Sequence, residues 1–190
     1  MTVRRLVDNP RLFPSATRGG TAFLDLSTMT GWAYGHAGDP RPLCGTWQLP
    51  KTHEDGKTFD AFYDVLCDFL EWFEPARIVA EAPLPPGTTR SNMLTWKCQI
   101  GLLAVARLVA SQYGRTVREA HVDTVRAAVL KGRPWKGKQA DGKPVIVGWC
   151  QEQGLNPPDH NAADALVGLE YSLRLYSRRG FARDLAATPP

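Results

Sequence analysis

Apolar residues in this chain form short unbroken runs in some segments and recur at helical spacing in others. TAFLDL (21–26), GWAYG (31–35) and LCGTWQL (43–49) have strand length, and Thr28 to Gly31 supplies a tight turn between the first two. From Lys57, apolar positions recur at Phe59, Phe62, Leu66, Phe69, Leu70 and Phe73, which predicts an amphipathic helix stopped by Pro75. ARIVAEA (76–82) reads as a fourth strand, ended by the breaker run PLPPG. A second long helix is expected from about Ser91 to Gln112, apolar at Met93, Trp96, Ile100, Leu103 and Leu108, with Gly114 closing it in C-cap fashion. TVREAHV (116–122) is the fifth strand, and Asp123 or Thr124 is placed to cap a short helix reaching Lys131. Pro144 suits the first turn of a helix through Gln153, with Gly154 after its end. The last helix runs from about Asn161 to Arg179, with Asp159 or His160 near its cap.

Three leading strands can pair as an antiparallel meander. Each of the two later strands follows a helix, as crossover-connected parallel strands do. The expected fold class is therefore α/β, a five-stranded mixed sheet of three antiparallel and two parallel strands flanked by helices, which is the RNase H-like order. At 190 residues, one such domain (20–180) fits between a flexible leader (1–19) and a flexible tail (181–190). No apolar run approaches the ~18–20 residues that cross a bilayer, and the arginine-bearing start lacks an apolar signal region, so no membrane partner is expected. Cys44, Cys67, Cys98 and Cys150 lie far apart with no CxxC pair, which suits reduced cytoplasmic thiols better than zinc or a disulfide framework.

The formal net charge is only +4, but its placement matters. From Lys131 to Lys143 the run KGRPWKGKQADGK carries Lys131, Arg133, Lys136, Lys138 and Lys143 against Asp141, a local excess equal to that of the whole chain. Clustered cations attract a polyanion and displace its counterions, so this is a candidate phosphate-contacting loop, with Trp135 able to stack on a base.

Three acids stand in apolar company. Asp25 lies inside FLDL, Glu81 ends RIVAEA before a proline-rich break, and Asp164 sits in AADAL on the first turns of a helix. A buried carboxylate needs a cation, a donor or a metal, and no Lys or Arg lies within three positions of Asp25 or Asp164. A divalent cation is the economical partner, because hard oxygen ligands suit Mg²⁺ or Mn²⁺. A fourth group would come from DHN (159–161). His160 and Asn161 share the face of Asp164 by helical spacing, Asp159 sits better as an N-cap, and the imidazole of His160 can ligate metal or take a proton.

These segments carry a resemblance. FLDLSTMTGWAYG resembles the first strand and turn of RuvC-like Holliday-junction resolvases, IVAEAPLP their second acidic strand, and KCQIGLLAVA their next helix with its Q-x-G step. VDTVRAAVLKG, a lysine-bearing loop, GWCQEQG and DHNAADAL are similar to the family's third section, closest to its phage-borne branch. The resemblance spans about residues 20–177. It implies two-metal phosphodiester hydrolysis with Mg²⁺, for which Mn²⁺ can substitute, at Asp25, Glu81 and Asp164, with His160 replacing the family's usual acid and Asn161 or Asp159 as alternatives for the fourth place. It matches Arg126 to a basic position on the way to the loop, Lys143 to the loop lysine that contacts DNA phosphate, and Leu84 to the place where some relatives set an aromatic wedge; Lys131, Lys136 and Lys138 of the charged run are expected on DNA as well. It further implies a homodimer formed through the helix at 91–112, a four-way DNA junction as substrate, and a bacterial or phage protein of the cytoplasm. Flaps, Y-forks and hybrids as substrates, or a catalytically inactive DNA-binding relative, remain alternatives. An actin-like ATPase would need a second lobe and a second phosphate loop.

Overall fold

The computed structural model describes residues 18–51, 55–87, 92–131 and 139–186. Its elements are β1 (Thr21–Asp25), β2 (Met29–Gly35), β3 (Leu43–Gln48), α1 (Asp55–Phe73), β4 (Arg77–Glu81), α2 (Met93–Gln112), β5 (Val117–Ala120), α3 (Val122–Val129), α4 (Gln139–Glu152) and α5 (His160–Ala186). The strands form one sheet in the order β3-β2-β1-β4-β5. β1, β2 and β3 pair antiparallel, while β4 pairs parallel to β1 and β5 parallel to β4. This is the expected mixed sheet, with β1 and β4 at its centre.

Strand alternation sends side chains to two cores. Ala22, Leu24, Leu26, Trp32, Tyr34, Ile78 and Ala80 face α1 and α2, where Phe62, Leu66, Phe69, Phe73, Leu102 and Ala106 meet them. Phe23, Ala33 and Val79 face the other way, onto α3, α4 and α5 through Val125, Ile146, Trp149, Ala163, Leu166 and Val167. Asp25 follows Phe23 by two residues and Glu81 follows Val79 by two, so both acids belong to the α5 side.

On that side helix and sheet touch backbone to backbone. A Cβ on Gly31 would fall on the carbonyl of Asn161 in the first turn of α5, and one on Gly168 would overlap the Phe23 ring. Gly31 is the register partner of Asp25. The glycine of the T-G step therefore lets the start of α5 settle directly beside the first acid.

Several boundaries differ from the expectation. β1 ends at Asp25, so this acid stands at the strand's end and not its middle. β2 begins at Met29, and the turn contracts onto Ser27 and Thr28 because the Thr30 hydroxyl donates to the Ser27 carbonyl at 2.6 Å. α3 starts two to three residues earlier than a cap at Asp123 or Thr124 would set it, at Val122 after His121, which makes no side-chain cap; Asp123 lies in its first turn. α4 starts at Gln139, so Pro144 is inside the helix, where its missing N–H leaves the carbonyl four residues back without a helical donor. The end of the expected leader is tied down, with Arg18 paired to Glu74 at 2.6 Å and the Gly19 N–H donating to the Glu74 carbonyl at 3.2 Å. The backbone of α5 remains helical to Ala186, beyond the expected start of the tail. The closure of α2 is as expected: Gly114 adopts φ +65°, and the Arg115 N–H reaches back to the Ala110 carbonyl at 2.8 Å.

By length and composition α2 could cross a bilayer, contrary to the reading that no such run exists. Its apolarity comes from two separate faces. Leu102, Leu103, Ala106, Val109 and Ala110 are buried in the core, while Met93, Leu94, Ile100 and Leu108 are exposed.

Candidate active site

The carboxyl ends of the parallel strands β1 and β4 are adjacent, since Leu24 is registered with Ala80. Asp25 and Glu81 end those strands side by side. Above them the first turns of α5 bring Asp164, and α3 brings Arg126. Asp25, Glu81, Asp164, Arg126, His160, Asn161, Lys143, Leu84, Ser27, Thr95 and Gln99 all line one cavity of about 210 Å³. Ligands in open α/β sheets bind outside the carboxyl ends of strands for the same reason.

The electrostatics are those of crowded acids. Burial, then the charge of Asp164, pushes the Asp25 carboxyl up to about 7, against an opposing pull from Arg126. Glu81 is also held well above the usual carboxylate range, by burial first and by Asp25 next, with Arg126 again opposing. Arg126 Nη2 pairs with Asp164 Oδ1 at 2.9 Å, and both side chains are about five-sixths buried, at 17% exposure. No cation near Asp25 or Asp164 is visible along the sequence because Arg126 arrives from another helix. It lines the same cavity as the acids and Lys143.

The segment DHN divides its work. Asp159 Oδ1 accepts from the Asn161 and Ala162 N–H groups at 2.9 Å each and from the Thr46 hydroxyl at 2.7 Å. It is the N-cap of α5, as its position led us to expect, and it does not line the cavity. His160 and Asn161 do. Lys143 Nζ lies 2.7 Å from His160 Nε2. An ammonium only donates, so Nε2 accepts and the ring proton sits on Nδ1.

Lys143 and Leu84 line the cavity, and Lys131 is exposed just after α3. Arg133, Trp135, Lys136 and Lys138 lie outside the described residues. Ser27, Thr95 and Gln99 line the cavity without having been singled out as site residues. Gln99 had a signal. With Thr95 it continues, at spacings of three and four, the α2 stripe that is otherwise buried and apolar, so it is a polar residue in apolar company just as the acids are.

Three carboxylates with an imidazole or an amide oxygen form a hard donor set that fits a divalent cation. Among the described residues no three such side chains stand at ion-clasping distance as placed. Asp164 is instead paired with Arg126.

No family model and no curated protein matches the sequence. Solved structures do. A T. thermophilus RuvC in complex with a Holliday junction substrate superposes with a TM-score of 0.64 at 15% identity, over 86% of this chain and 97% of that one. A Thermus thermophilus RuvC structure gives 0.62 at 17% identity, covering 85% of this chain and 96% of that one. The yeast mitochondrial Holliday junction resolvase Ydc2 gives 0.56 at 11% identity, covering 90% and 86%. With the sheet order, the strand-end acids and the helix that caps them already in place, these superpositions establish that the chain has the RNase H-like fold in its RuvC-like form.

Proposed function

We propose that this protein is a metal-dependent endonuclease that resolves four-way DNA junctions, acting as a homodimer. The observation that carries the reading is the convergence of Asp25, Glu81 and Asp164 on one cavity with Lys143 at its rim, in a fold shared with a RuvC bound to a Holliday junction.

Asp25, Glu81 and Asp164 would hold Mg²⁺, with His160 or Asn161 completing the set. When bound, the cation polarises a phosphoryl oxygen and lowers the pKa of water at the site. The chain's own groups do the rest. Lys143, exposed at the rim, offers its ammonium to a DNA phosphate. His160, in contact with Lys143 through Nε2 at 2.7 Å, lines the same cavity. Arg126 pairs with Asp164 and offsets part of the negative charge of the cluster. A cytoplasmic place of action accords with this chemistry.

The dimer follows from substrate symmetry and from α2. A four-way junction has near two-fold symmetry, and a two-fold pair of subunits sets identical sites on opposed strands. This chain has one set of acids, and it exposes Met93, Leu94, Ile100 and Leu108, with Leu94 78% accessible. A second copy covers such a face.

The test is a panel of four-way junctions, flaps, Y-forks and RNA–DNA hybrids with Mg²⁺ or Mn²⁺. Paired, symmetric incision of the four-way junction in preference to the others is expected. Equal or better cutting of flaps or forks would reassign the substrate, and binding without cutting would mark an inactive relative. For the dimer, tagged wild type is mixed with untagged Asp164→Asn and the mixed species isolated. It should nick a cruciform plasmid once per junction, where wild type linearises it. Paired cuts by the mixed species, or a monomer by light scattering on DNA, would remove the dimer.

A further inference from the structure

The cavity has two unlike walls. Asp25, Glu81, Asp164, Arg126, His160 and Lys143 provide charge suited to a phosphodiester. Facing them from α2 and the segment after β4 is an uncharged wall of Leu84, Thr95 and Gln99. Gln99 Oε1 is buried and, among the described residues, has no hydrogen-bond partner. Buried acceptors are nearly always matched, since an unmatched one forfeits its hydration for nothing. On the wall of a ligand cavity, such an oxygen is an acceptor that a ligand's donor could match.

The amide is also held in place. The α2 stripe below it, Leu102, Leu103, Ala106, Val109 and Ala110, is buried. Two residues along, Gly101 leaves room for the ring of Phe59, and a Cβ there would overlap that ring. The Q-x-G step therefore seats α2 firmly against α1 while the glutamine looks into the cavity. A rigid acceptor beside a phosphate site recognises what is attached to the phosphate.

We infer that Gln99 is a specificity-determining residue that reads the base next to the cut. Its carboxamide oxygen accepts a hydrogen bond from the exocyclic amine of adenine or cytosine, and it disfavours guanine and thymine, whose major-groove edges present carbonyl oxygens at that place. This rests on the nuclease reading above, and it assigns base preference to the uncharged wall while the charged wall performs cleavage.

The test uses the full chain and junctions randomised at the positions flanking the cut, with products sequenced. Wild type should favour adenine or cytosine over guanine or thymine by about tenfold at one position, within what one matched base contact discriminates. Gln99→Met keeps the volume and removes the hydrogen bond, so the preference should flatten to within about twofold while cutting at guanine or thymine is kept. Gln99→Glu retains the acceptor and should retain the preference. Replacing the preferred adenine by purine, which lacks the amine, should cost wild type about tenfold and Gln99→Met almost nothing. Gln99→Met should melt at or above wild type, because an unmatched buried oxygen has been replaced by an apolar group. An unchanged base profile in Gln99→Met, an equal loss at every base, or a lower melting temperature would each overturn the inference while leaving the nuclease reading intact. A folded wild type that cuts no branched DNA would overturn both.

Discussion

The two faces of the sheet are packed by different means. Against α1 and α2 the layer is aromatic. Trp32 stacks on Trp47 with ring centroids 6.0 Å apart, Tyr34 stacks on Phe73 at 4.6 Å, and Phe69 meets Trp32, Trp47 and Phe73. Against α5 the layer mixes large residues such as Leu166 and Leu169 with Ala33 and Ala165, and at Gly31 and Gly168 it leaves no room for a side chain, the helix backbone meeting the first and the Phe23 ring the second. A thick layer of rings contributes buried area and accommodates small shifts. Close contact at the glycines fixes helix against sheet, and the acids Asp25 and Glu81 lie on this side. The aromatic face therefore sets how stable the protein is, and the α5 face sets where the site's atoms are.

Gly31→Val should have the largest effect. The new side chain would collide with the Asn161 carbonyl and push away the turn that carries His160 and Asp164. Cleavage should fall by ~10²-fold or more, the size expected when reacting groups are misplaced by about an ångström, with a lowered melting temperature as well. Near-normal cleavage would show that α5 docking does not set the site. On the aromatic face, Phe69→Leu should cost about 1–3 kcal/mol, or roughly 2–4 °C in melting temperature per kcal/mol, yet leave cleavage at 25 °C within about twofold. A large loss of cleavage in still-folded Phe69→Leu would erase the distinction between the faces.

Much of this is legible in the sequence because the signal is local. Asp25, Glu81 and Asp164 each sit among apolar neighbours, and that mismatch is visible without a structure. The antiparallel and parallel strands followed from which strands precede and which follow a helix. Arg126 could not be matched to Asp164 in this way, being 38 residues distant and on another helix. Gly31 reads as turn glycine, and only the fold reveals that the start of α5 rests on it. Pro144 favoured a helix start there, but α4 begins five residues earlier and absorbs the missing donor. Gln99 stands in the sequence only as part of the Q-x-G step, with no place in the site, because glutamine in a helix is unremarkable until its stripe is known to be buried.

A smaller effect should appear in the pH dependence of the metal-free protein. The Asp25 carboxyl titrates near 7 in the fold, chiefly through burial, against about 3.9 when unfolded. The folded chain thus holds an extra proton between these values, and this group's contribution to stability is full below about pH 4 and lost as pH rises through about 7. Glu81 acts in the same direction. Melting in chelator should therefore show Asp25→Asn gaining several degrees on wild type at pH 8 and little at pH 4. A constant difference across that range would contradict the crowding of the acids. Smallest of all, Lys143→Ala should weaken binding to all DNAs alike and flatten the log K against log salt slope by about 0.9 on duplex arms. A loss confined to junctions would mean that this lysine reads shape.

The central claim is that Asp25, Glu81 and Asp164 bind the ion that cuts DNA. The most direct measurement is cleavage and binding of a four-way junction by wild type and Asp164→Asn, in Mg²⁺ and in chelator. Wild type should cut only with the ion, and Asp164→Asn should lose orders of magnitude in rate while binding the junction as well or better, because negative charge near phosphate has been removed. Cleavage in chelator, or near-normal cleavage by Asp164→Asn, would contradict the account.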